Sequence, residues 1–205
     1  MLSFLKPFLP KPKIRTFAAL QQFLDGEAAY LAQRSVIDFT RNELGSLSAQ
    51  AFDDPRFQAK LAISRWEGYV ATLADMTVLA RNCLVAAGAP QPLLDQRLGD
   101  LHRDILSRHP PPDHRAGGWD AEIAALRARL ADLQEDAPGP QALAQATGAK
   151  VFDTLSFTPR DPADSRMVLQ NAFAFGLIAF YDALRRLLVT QPLIEELNAI
   201  RHEPG

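Results

Sequence analysis

The stretch from Asp54 to Gly88 reads DPRFQAKLAISRWEGYVATLADMTVLARNCLVAAG. Asp54-Pro55 is a helix start. The carboxylate can accept from a free first-turn N–H, and a proline there gives up a donor that has no intrahelical partner. Phe57, Leu61, Tyr69, Leu73, Met76 and Leu84 follow at helical spacing, and Gly88 offers a stop. Between Ala62 and Ala89 the only charged residues are Arg65, Glu67, Asp75 and Arg81. A helix this apolar is expected at the centre of a bundle, with its few charges paired.

Proline placement extends the reading outward. The fifteen prolines fall at 7, 10, 12, 55, 90, 92, 110–112, 138, 140, 159, 162, 192 and 204. Proline breaks helix interiors, so the proline-free windows between them are predicted helices. Phe17, Leu20, Leu24 and Leu31 form one stripe, with Phe23, Tyr30, Ile37 and Leu44 beside it, and Gly45 ends that helix. Leu94, Leu98, Leu101 and Ile105 mark an outer helix. Trp119, Ile123, Leu126, Leu130 and Leu133 mark another. Gln141–Gly148 is a weaker, Ala-rich helical segment. Val151, Asp153, Leu155 and Phe157 alternate, which predicts a short extended stretch. Asp161-Pro162 repeats the cap before Arg166–Leu188, whose apolar residues cover almost every face and predict a second central helix. Gln191-Pro192 opens a short terminal helix.

The expected fold is therefore an all-α, single-domain bundle of about six helices. Segments 13–44, 55–88 and 163–188 form its centre. Residues 1–15 are an apolar and basic arm, and 16–205 are the bundle. The 205 residues suit one domain, and 47% hydrophobic with 22% charged residues suits a folded core.

Composition also removes function classes. The net charge of −2 gives no electrostatic case for nucleic acid. Residues 1–15 hold four basic residues and no acid, so the remainder stands at −6. The single Cys83 rules out an internal disulfide and a cysteine zinc cluster, and in so apolar a helix it reads as an inert thiol. The start MLSFLKPFLPKPK is interrupted by prolines and is not read as a secretory signal. The longest strongly apolar run, Ala172–Tyr181, is about half a bilayer span. The expected address is the cytoplasm, with peripheral contact at the inner membrane as the variant.

No catalytic motif is found. There is no Gly-x-Ser-x-Gly elbow, no phosphate-cradling glycine loop and no Glu-x-x-His pair. Asp100, His102, Asp104, His109, Asp113 and His114 cluster in sequence without a recognised ligand spacing, so no metal and no cofactor is expected. Two constellations remain. Asp75 in the apolar helix requires a basic or hydrogen-bonding partner, and Arg34 or Arg41 is the candidate, with Asp38 joining the cluster through Arg34 at i,i+4 spacing. Together they predict a buried polar cluster. The arm is the other constellation. Leu2, Phe4, Leu5, Phe8 and Leu9 are bulky and apolar, while Lys6, Lys11, Lys13 and Arg15 are basic. Such a segment is expected to dock to a protein partner, to a second copy of the chain, or to an anionic membrane surface.

Ala28–Gln33, Asp53–Phe57, Ile63–Trp66 and Leu73–Met76, with Val168–Leu188 more loosely, resemble an uncharacterised family of helical proteins from alphaproteobacteria. Its members are sometimes automatically labelled esterases. The resemblance spans about half the chain and implies a bacterial, cytoplasmic, helical protein. The serine elbow that an esterase would use is not in this sequence. The leading expectation is thus a non-catalytic interaction, assembly or regulatory protein. The alternatives are an esterase-like hydrolase, or a small-molecule binder with a pocket between the central helices.

Overall fold

The computed structural model describes residues 12–133 and 137–201. Helices follow one another as α1 (Phe17–Leu44), α2 (Ser48–Asp53), α3 (Pro55–Ala86), α4 (Gln91–Leu106), α5 (Asp120–Asp132), α6 (Pro140–Phe152), α7 (Pro162–Leu187) and α8 (Thr190–Arg201), with a 3-10 turn at Gly45–Leu47. Apart from the six-residue α2 these are the predicted windows, and the protein is an all-α helical bundle. The Asp54 and Asp161 caps form as read, and Thr16 adds a third. Asp54 Oδ1 accepts from Arg56 N at 2.8 Å, Asp161 Oδ1 from Asp164 N at 3.2 Å, and Thr16 Oγ1 from Ala19 N at 3.1 Å.

Helix α3 is the hub. It packs against α1, α2, α4, α5, α6, α7 and α8, and it buries Leu61, Tyr69, Leu73, Met76, Leu79 and Leu84. Around it, α6 lies tightly on α7. A Cβ on Gly148 would stand 2.6 Å from Gln170 Cα, so only glycine permits that approach. The bundle closes on itself at Ile14. Its N–H donates to Leu187 O and its carbonyl accepts from Val189 N, both at 2.9 Å, in an isolated parallel bridge with Leu188. Ile14 is buried, so the chain joins the core one residue before the expected end of the arm.

Two expectations are corrected. Val151 lies inside α6, and residues 153–157 form turns and bends rather than an extended stretch. Val151 and Leu155 are four apart, a spacing that suits a helical face as well as an alternating one. The second correction concerns α7. It buries Leu169, Phe173, Leu177, Phe180 and Leu184, but Met167, Val168, Phe175 and Ile178 are exposed. The helix flanks the bundle with one apolar face uncovered and is not enclosed on every side.

Candidate functional site

The charged residues of α3 beyond Ala62 show how the bundle handles polarity. Glu67, Asp75 and Arg81 are buried, and each meets an opposite charge from a later segment. Arg115 binds Glu67 through two nitrogens at 2.8 Å each. His114 Nε2 lies 3.1 Å from Glu67 Oε1, and Lys150 Nζ lies 3.3 Å from Oε2. Burial alone would raise the Glu67 pKa. The hydrogen bonds from His114 and Arg115 and the charge of Lys150 overcome it and hold the carboxylate below its usual range. Arg81 donates to both oxygens of Asp95 at 2.6 and 3.1 Å and reaches Leu133 O at 3.3 Å.

Asp75 is buried as the sequence required, but its partners are different from those expected. Arg129 Nη1 donates to Oδ1 at 2.9 Å, and Thr147 Oγ1 donates to Oδ2 at 2.6 Å. Burial raises this carboxyl, against the pull of both donors. Arg34 and Asp38 do pair, at 3.4 Å, but with side chains 64% and 55% exposed. Arg41 is exposed, its guanidinium 5.4 Å from the Phe52 ring. The predicted cluster of Asp75, Arg34, Asp38 and Arg41 is therefore not assembled. The reason is rotational. Leu20, Leu24, Leu31 and Phe39 occupy the core side of α1, which turns Arg34, Asp38 and Arg41 outward.

What Arg34 and Asp38 do line is a surface groove of about 460 Å³ between α1 and α7. Tyr30, Arg34 and Asp38 form its α1 wall; Val168, Ala172 and Phe175 form its α7 wall. Arg34 Nη1 donates to Tyr30 Oη at 2.7 Å. The groove exists because Gly176 lets Leu31 nest against the α7 backbone, where a Cβ would overlap Leu31 Cδ1. Phe175 is 75% exposed and Val168 52%. Contiguous apolar exposure of this kind marks a contact surface more often than a scattered single residue does. Helix α7 is also long and apolar enough to cross a membrane, the one such helix among the described residues, although a third of its apolar stretch is buried in the bundle. The ten-residue run read from the sequence therefore understated it.

Of the arm, Leu2, Phe4, Leu5, Lys6, Phe8, Leu9 and Lys11 lie outside the described residues. Lys13 and Arg15 are exposed. Lys13 Nζ donates to Arg186 O at 2.5 Å, which places the base of the arm at the C-terminal end of α7.

Neither a family model, nor a curated protein, nor a solved structure matches this chain.

The histidine-rich segment gains a role that the sequence did not indicate. His109 Nε2 sits 3.2 Å from Asp25 Oδ1, which also accepts from Tyr69 Oη at 2.7 Å. Trp66, Tyr69, His109 and Trp119 pack ring to ring at 5.4–5.9 Å, and Trp119 Nε1 donates to His109 O at 2.9 Å. The proline loop is thus pinned on α3 from both ends. Among the described residues, no group of three or more His, Cys, Asp or Glu side chains is placed to hold a metal.

Proposed function

We propose that this chain is a non-catalytic helical assembly module that pairs with a second copy of itself through the outward face of α7. The uncovered stripe centred on Phe175 carries this reading. Phe175 lies eleven residues from Asp164 in the first turn and eleven from Arg186 in the last. Eleven residues are about three helical turns, roughly 16 Å, so all three fall on one line along the helix. A twofold axis through Phe175 sets two α7 helices antiparallel, stacks the two Phe175 rings at the centre, and brings Asp164 of each copy to Arg186 of the other. Self-complementarity of this kind is what an isologous interface needs. Arg34 and Asp38 supply both signs of charge on the rim, and Lys13 sits on Arg186 at the end of the same stripe.

A membrane-facing reading has less support. Asn171 and Asp182 share the stripe with Phe175, and Asp38 borders the groove, so polar and acidic groups would have to enter the lipid. The esterase-like alternative needs a nucleophile beside a base. Among the described residues the hydroxyls of Ser64, Thr147 and Ser165 donate to Thr154 O, Asp75 and Glu43, and none meets a histidine. Burial raises the Cys83 thiol above its ordinary range, although a Tyr181 hydrogen bond and the charge of Arg185 oppose this. We infer a cytoplasmic protein, with that single free thiol as the support.

Sedimentation velocity on the full chain tests the assembly. A concentration-dependent dimer is expected. Phe175→Glu should abolish it, Asp164→Arg should weaken it, and adding Arg186→Asp to Asp164→Arg should restore it. A wild-type monomer at the highest soluble concentration refutes the reading, as does a dimer indifferent to Phe175→Glu. Vesicle flotation lost in Phe175→Glu would transfer the same face to the membrane.

A further inference from the structure

Of the four charged residues of α3 beyond Ala62, three are buried against opposite charges, and Arg65 makes no ion pair among the described residues. Arg65 is half-buried and lines a pocket of about 200 Å³ between α1 and α3. Helical spacing builds its walls. Ala62, Arg65, Trp66 and Tyr69 recur three or four residues apart and share one face of α3, as Ala29 and Gln33 share one face of α1. Each helix places an alanine there, where a longer side chain would occupy the space. His109 completes the lining from the proline loop.

The aromatic wall is fixed before anything binds. Trp66 stands edge-on to Tyr69 and His109 and tilted to Trp119. Asp25 in turn accepts from Tyr69 Oη and lies 3.2 Å from His109 Nε2. Tyr69 and Trp119 are buried, but Trp66 is only half-buried, so part of the indole remains free in the pocket. The lining is mainly apolar, and Arg65 is its one permanent charge. Gln33 adds a side-chain amide that has no partner among the described residues. A cationic ligand is disfavoured, because Arg65 repels it and Asp25 is already engaged by Tyr69 and His109. A planar ring suits the indole, and a carboxylate suits the guanidinium fork. An apolar cavity of roughly 150 Å³ holds a benzene ring, so this pocket has room for one ring and its acid group.

We infer that this pocket binds a small single-ring aromatic carboxylate, with its ring against Trp66 and its carboxylate on Arg65 and the Gln33 amide. Helix α7 contributes nothing to this lining, so binding here and self-association there are independent.

Trp66 and Trp119 are the two tryptophans of the chain and touch each other, so tryptophan emission reads the site directly. The full chain is titrated with benzoate, 4-hydroxybenzoate and phenylacetate, each beside its neutral primary amide, and with acetate. At least one aromatic acid should change the emission saturably, with its amide at least about tenfold weaker, the scale of one charge-assisted hydrogen bond, and acetate silent. Arg65→Gln should weaken the acid by a similar factor. Ala29→Leu, at an exposed position, fills the pocket without changing a charge and should abolish binding while circular dichroism stays native. Phe175→Glu should leave binding unchanged. The inference is overturned if no aromatic acid in the panel binds, if the amide or acetate binds as well as the acid, or if either Arg65→Gln or Ala29→Leu leaves binding intact.

Discussion

His102 makes the fold acid-sensitive in a way that can be isolated. It lies on the buried face of α4, and burial with no compensating partner pushes its imidazole down to about 4 from an ordinary value near 6.5. The sign follows from linkage. In the unfolded chain the ring takes a proton below about pH 6.5; in the folded chain it does not until about pH 4. The unfolded state therefore binds more protons across that window, and stability falls as pH falls through it. The loss is about 2 kcal/mol between about pH 7 and pH 5, and about 3 kcal/mol by about pH 4. Asp75 acts in the opposite direction. Its raised pKa returns stability as pH falls through its folded value, while Glu67, held low by its partners, loses stability on acidification, so a wild-type pH curve alone mixes all three. His102→Leu separates them. Urea unfolding followed by circular dichroism at several pH values should give a variant whose stability declines less steeply than wild type, with the gap closing to nothing above about pH 7.5 apart from a constant offset. Parallel curves for the two proteins would show that His102 is hydrated or paired in the native state, and the argument from its burial would fail.

Three further outcomes are expected from targeted substitutions. Leu126→Ala empties a buried position on α5 and should cost roughly 2–5 kcal/mol in chemical denaturation. Asp95→Asn strips the buried Arg81 guanidinium of its counter-charge and should cost about 3–5 kcal/mol, with Arg81→Met, Asp95→Leu together recovering much of it. Gly148→Ala must push α6 off the Gln170 backbone and should cost about 1–3 kcal/mol, seen as a lower Tm; an unchanged melt would mean that the two helices do not approach so closely.

The fold was legible because its signals are local. Asp54-Pro55 and Asp161-Pro162 cap helices whatever surrounds them, and a proline-free apolar repeat has few other solutions. The need of Asp75 for a partner was legible for the same reason, since a charge in an apolar helix is costly alone. Which residue meets it was not. Arg129 lies 54 positions away and Thr147 lies 72 away, and only the seating of α5 and α6 on α3 brings them there. Arg34 and Arg41 were attractive candidates because α1 does pack on α3, but the rotation of α1 is fixed by its leucines and not by its charges. The bare face of α7 was hidden by the opposite problem. A helix apolar on every side carries no mark of which side is left over. His102 did have a signal: Leu98 and Ile105 flank it at four and three residues on the buried stripe of α4.

Between α5 and α6 a surface gap of about 330 Å³ lies over α3, and helix α6 shows why it stands open rather than collapsing. Its weak sequence pattern, rich in alanine, gives it little apolar bulk of its own, and its position is set from outside. On one side Gly148 lies against the backbone of Gln170, so α6 cannot move toward α7. On the adjoining side Thr147 donates to Asp75 and Lys150 pairs with Glu67, so it is fixed to α3 at two points about one helical turn apart. Helix α5 is held on α3 by Arg129 on Asp75, and through Glu122 on Arg115, which in turn grips Glu67. Each helix is thus fastened to α3 by charge pairs that demand particular distances. Among the described residues nothing comparable draws α5 and α6 together, and the alanines between them are too small to fill the gap. Closing it would require breaking the pairing of Asp75 or Glu67, each buried, at a cost that methyl-on-methyl packing between a few alanines could not offset.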